Sequence, residues 1–128
     1  MSEEIVKSEE YEEMAAAFQC SQIQVLDNVL SESGISPTKA KEIVESFALK
    51  YGVVLDQYWL DSEEGKVFPA IAFSKKHQEY EPDTFYMNEG AFSFAEYAYG
   101  NISWYYEDNA NKQNPQVMGV VGEDGCPA

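Results

Sequence analysis

Apolar positions in the first half of the chain recur at helical intervals. Tyr11, Met14, Ala15 and Phe18 fall on one stripe, and the six glutamates among the first thirteen residues suit the positive end of a helix starting near Ser8. In "SQIQVLDNVLSESG", Ile23, Leu26, Val29 and Leu30 share a face, and Gly34 can take the left-handed conformation that ends a helix, so a second helix is predicted there. "SPTKAKEIVESFALKYG" predicts a third, with Ser36 as N-cap, Pro37 in the first turn and Gly52 just past the end. Its expected buried face is Ala40, Ile43, Val44, Phe47 and Tyr51.

The period changes after Gly52. "VVLDQYWLD" and "KVFPAIAFS" are rich in β-branched and aromatic residues and flank "SEEG", which predicts an antiparallel hairpin, with Pro69 confining its second strand to an edge or a bulge. "KKHQEYEPD" reads as a loop and "TFYM" as a third strand. The stretch Phe85 to Tyr106 holds nine of the chain's eighteen aromatic residues and supports two readings. As a helix, Ser93 and Glu96 form a capping box, and Phe94, Tyr97, Ala98, Ile102 and Tyr105 share a stripe. As a hairpin, "AFSFAEYAY" and "ISWYYED" flank a Gly100-Asn101 turn. Aromatic richness, β-branching and the central glycine favour the hairpin. "QVMGVV" offers a last short strand before the tail "GEDGCPA". The expected fold is therefore α+β, with two to three N-terminal helices packed on one face of a four- to five-stranded, mainly antiparallel C-terminal sheet. One domain spans residues 1–128, with 1–7 and 122–128 loose.

Charge narrows the function classes. Twenty-three Asp and Glu oppose eight lysines, for a formal net charge of -15, and there is no arginine. Nucleic-acid binding draws on cationic side chains, and base readout leans on Arg, so direct contact with nucleic acid or anionic lipid is not expected. The acidic N-terminus lacks the basic-then-apolar run of a signal peptide, and no run approaches the ~20 apolar residues of a membrane span. A cytoplasmic protein with Cys20 and Cys126 as free thiols is expected.

Candidate chemistry is sparse. His77, the one histidine, lies in a polar loop, and neither a CxxC spacing, a phosphate loop nor a calcium loop occurs, so no cofactor, metal or catalytic site is assigned. Paired carboxylates leave an enzyme as a minor alternative. Acids do coincide with aromatics in three places: Asp61, Glu63 and Glu64 at a hairpin tip; Glu79, Tyr80, Glu81 and Asp83 in a loop; and Trp104, Tyr105, Tyr106, Glu107 and Asp108. Tyrosine and tryptophan dominate binding hot spots, and surrounding acids steer a basic partner. These twelve residues are the expected contact surface of a monomeric or homodimeric, non-enzymatic protein that blocks a basic protein surface. A nucleic-acid-processing enzyme would offer such a surface, and an inhibitor, immunity or anti-defence protein can act as a nucleic-acid mimic there. The alternative is a small acidic chaperone or adaptor that holds a client segment in an apolar groove.

Overall fold

The computed structural model of the chain describes residues 3–90 and 92–108. Its order is β1 (Glu4–Lys7), α1 (Glu10–Glu32), α2 (Pro37–Gln57), β2 (Leu60–Ser62), β3 (Gly65–Val67), a 3-10 turn (Gln78–Tyr80), β4 (Thr84–Met87), α3 (Phe94–Ser103) and a π-helical turn (Trp104–Asp108). Strands form two separate pairs: β1 runs parallel to β4, and β2 and β3 form an antiparallel hairpin.

Helices, not a sheet, organise the body, which corrects the expected four- to five-stranded architecture. The two helices expected before Gly34 are one 23-residue helix, because neither "QCSQ" nor any other stretch between them carries a breaking glycine or proline. Residues 4–7, expected to be part of a loose end, pair along β4. Residues 94–103, expected as strands, are α3: the Ser93 hydroxyl accepts the Glu96 amide, and local capping outweighs aromatic β propensity. "QVMGVV", the tail and Cys126 lie outside the described residues.

Gly52 does not end α2, which continues to Gln57. A Cβ at Gly52 would lie 2.8 Å from the Ala95 nitrogen and 2.9 Å from Ala95 Cα and the Phe94 carbonyl carbon, so this glycine is where the start of α3 rests on α2. The buried positions of α2 are Ala40, Val44, Ala48 and Gly52, a four-residue ridge of small side chains that admits the neighbouring backbone. Phe47 and Tyr51, expected in the core, point outward, at 39% and 41% exposure. One core cluster joins Ile23, Val44, Ala98, Ile102 and Tyr105, and a second, at the end of the helices nearer the strands, joins Tyr11, Ala15, Phe92 and Phe94.

Side-chain bonds fix the helix directions. Tyr97 donates to Glu12, Asn101 to Gln19, and Tyr105 and Tyr106 to Asp27, so α3 runs parallel to α1, and the α2 between them runs the other way. The strands therefore gather at one end, beside Glu12, Asp56 and Phe94. The Ser33–Ser36 turn and the π turn occupy the other.

Candidate functional site

The three acid-aromatic segments are not brought to one face. Glu12 and Asp27, which bond the beginning and the end of the α3 segment, are fifteen residues apart on α1, or roughly 22 Å at 1.5 Å per residue. The 104–108 segment therefore sits at the far end of the bundle from the 61–64 tip, which follows the end of α2.

Much of the 104–108 segment is structural. Tyr105 is buried, and its hydroxyl donates to Asp27 Oδ2 at 3.2 Å; Tyr106 is half-buried and donates to Oδ1 at 2.8 Å. Burial, reinforced by the Asp27 carboxylate, pushes Tyr105 up to about 12 and raises Tyr106 as well. The half-buried Trp104 packs against the core, and Glu107 pairs with Lys41 at 3.7 Å. Asp108 ends the π turn.

The 79–83 loop lies at the strand end and is held by its own neighbours. His77 Nδ1 accepts the Glu79 amide, the exposed Tyr80 ring meets the His77 ring edge-on, and Asp83 pairs with Lys76 at 3.5 Å. Glu81 takes the left-handed conformation at φ 54°, which lets its amide close the turn on Gln78. No hydrogen bond or ion pair among the described residues joins this loop to the 61–64 tip.

The β2–β3 hairpin is different in kind. Every residue of both strands is exposed, and neither strand packs extensively on a helix. Asp61 stands opposite Lys66, Ser62 opposite Gly65, and Glu63 and Glu64 form the tip, where the Ser62 hydroxyl accepts the Glu64 amide. The tip acids make no ion pair among the described residues. Beside them, Tyr58, Trp59, Leu60, Val67 and Phe68 are all exposed, Phe68 to 66%. Lys66 lies over the Trp59 ring at 4.3 Å, so that ring already holds a cation on one face.

Sequence reasoning identified the tip acids but read these apolar residues only as strand formers of the hairpin. The signal was present in the lack of alternation: "YWL" and "VF" set consecutive apolar groups at the outer ends of two strands of only three residues each, and successive residues of an extended chain point to opposite sides, which one layer cannot cover together.

A cavity of about 450 Å³ lies at the hairpin's base, between the end of α2 and the start of α3, and Asp56 is its one charged lining residue. Asp56 is already committed: Oδ1 accepts the Phe94 amide at 2.7 Å, and Oδ2 accepts the Ala95 amide at 2.9 Å and the Ser93 hydroxyl at 2.7 Å. This carboxylate caps α3 and compensates the positive helix end, so it does the work of an anion-binding site from within the fold. Tyr11 lines the same cavity and donates to the Ile71 carbonyl at 2.8 Å. Cys20 is buried, and burial pushes its thiol up to about 11, far from the reactive range. Among the described residues, no group of three or more His, Cys, Asp or Glu is placed to hold a metal ion, and no helix is long and apolar enough to cross a membrane. The chain matches no protein-family model, no curated protein and no solved structure.

Proposed function

We propose that this chain is a non-enzymatic interaction protein that binds a basic surface of another protein through its β2–β3 hairpin. The observation that carries this is the hairpin itself. A two-stranded hairpin is marginal on its own in water, yet this one presents Trp59 and Phe68 to solvent next to Asp61, Glu63 and Glu64. Exposed rings rimmed by charge are the composition of an interface centre and its border. The acids accelerate encounter with a cationic surface, and the rings hold it once docked. Blocking such a surface requires no reacting group, in keeping with the commitment of Asp56 and Asp27 to structural bonds.

A photo-crosslinking residue in place of Phe68, in the cell that makes the protein, identifies what sits on the hairpin. The same residue in place of Lys39, at the far end of the bundle, is the control. With the captured species purified, surface plasmon resonance should give an association rate that falls as salt rises. E63K/E64K should lower that rate, and Trp59→Ala or Phe68→Ala should raise the dissociation rate. An association rate independent of salt, with ring substitutions still effective, would favour the adaptor that holds an apolar client. Insensitivity to all four changes would refute the hairpin as the contact.

A further inference from the structure

Helix α1 has a second apolar face that the bundle leaves uncovered. From Met14 to Leu26 it carries no charged residue on any side, the longest charge-free run in a chain with thirty-one charged residues, 23 acids and 8 lysines. An apolar stripe on a helix face ordinarily packs against a neighbouring element. Here α2 and α3 cover only the side bearing Ile23 and Leu26, while Val25 and Val29 are 44% and 49% exposed. Between these valines and Phe47 of α2 runs a groove of about 360 Å³, lined by Ser21, Gln22, Val25, Leu26, Val29 and Phe47 without a single charge. Tyr51 stacks on Phe47, centroids 5.4 Å apart and planes 11° from parallel, and extends the apolar wall along α2.

We infer that this face binds a second copy of the chain, the two α1–α2 layers packing against each other about a two-fold axis. The groove's chemistry selects the occupant. A basic partner finds no carboxylate in it, whereas it accepts a neutral apolar helical ridge, and Gln22, Val25 and Val29 of another copy, spaced three and four residues apart, form one. Two helices about 10 Å wide and ~30 Å long offer roughly 600 Å² per copy, hence about 1,200 Å² in all, the lower edge of a specific interface. An interface of this size suits a weak, reversible dimer. The hairpins remain free at the strand ends of both copies, so the inference does not rest on what they bind.

Salt dependence separates the two contacts. Each copy carries a net charge of -15, so self-association is opposed by repulsion that salt screens. Sedimentation velocity of the full chain should therefore show a monomer-dimer equilibrium that tightens between ~0.05 and ~0.5 M salt, the opposite of the trend for a basic partner. Val29→Glu and Phe47→Glu, each at an exposed position, should weaken the dimer at least ~10-fold while leaving the circular dichroism spectrum of the dilute protein unchanged, and Val29→Glu should leave its melting temperature unchanged as well. Trp59→Ala should leave dimerisation unaltered. Sedimentation as a monomer at every concentration and salt would overturn the inference, as would a dimer indifferent to both glutamates. A monomer that Val29→Glu nonetheless destabilises would also overturn it, and would assign the cover to residues 109–128 of the same chain.

Discussion

The contact between α2 and α3 sets two identical substitutions against each other. Gly52 and Gly100 both lie inside helices, where glycine to alanine ordinarily gains about 1 kcal/mol from backbone entropy. At Gly100 a new Cβ meets nothing within 4 Å, so Gly100→Ala should realise most of that gain, about 0.5–1 kcal/mol. At Gly52 the same Cβ would sit 2.8–2.9 Å from three backbone atoms of Phe94 and Ala95. Carbon atoms settle at roughly 3.5–4.0 Å, so α3 would have to retreat by about 0.7 Å. No flexible side chain can yield, since all three atoms are backbone.

That retreat has a second cost. The amides of Phe94 and Ala95 are the donors that Asp56 holds at 2.7 and 2.9 Å, and Asp56 is one turn beyond Gly52 on the same face of α2. Overpacking costs ~1–3 kcal/mol, and weakened charge-assisted bonds add ~1–2 kcal/mol, so even after the propensity gain Gly52→Ala should destabilise by about 1–4 kcal/mol. Urea titration followed by circular dichroism measures both variants, with the slope expected to stay at the wild-type value. Opposite signs are the prediction. If Gly52→Ala were as stabilising as Gly100→Ala, the start of α3 would not rest on Gly52 and the placement of Asp56 would fall with it.

Two further predictions concern the core and its tyrosines. Ile23→Ala should cost ~2–5 kcal/mol in the same titration, whereas Phe47→Ala, measured in dilute protein, should cost about 1 kcal/mol, because its ring meets a stacked neighbour at a surface and not a closed core; equal costs would mean the outward face of α2 is misassigned. Tyr105 and Tyr106 ionise later in the folded chain than in the unfolded one, so the folded state holds the extra protons and their stabilisation is complete below pH 10 and drains away as pH rises from 10 towards 12. A pH titration of the urea midpoint should fall through that window, and Y105F/Y106F should flatten the decline; an unchanged slope in the double variant would show that the ionisation of these two tyrosines does not govern it.

What could be read from the sequence was local. Ser36 and Ser93 each cap a helix as their hydroxyl chemistry predicts, Pro37 opens α2, and "SEEG" marks the turn between β2 and β3. What could not be read was set by partners distant in the chain. Gly52 reads as a helix stop because nothing nearby says that Ala95, forty-three residues on, needs the space. The aromatic stretch reads as strands because the Ser93 cap is only part of what holds its helix: Asp56 takes the first two amides and Asp27 anchors the tyrosines, both from far upstream. The three acid-aromatic segments are alike in composition, and only their bonds separate them: 104–108 is tied to Asp27 and Lys41, 79–83 to His77 and Lys76, while the 61–64 tip is left facing solvent.

The same sorting explains why an excess of acid is compatible with a compact fold. The half-buried carboxylates Asp27 and Asp56 each accept two or more hydrogen bonds from groups that cannot carry a negative charge at neutral pH, so their partial desolvation is compensated without arginine. Among the described residues the pairs with lysine are all on the surface, at 3.0–3.7 Å and with side chains 39% or more exposed, where such pairs are worth little. The acids of the hairpin tip belong to neither set. Their carboxylates make no ion pair or hydrogen bond among the described residues, and they sit next to the apolar rings that the fold leaves uncovered, which is the arrangement on which the proposed contact with a basic partner rests.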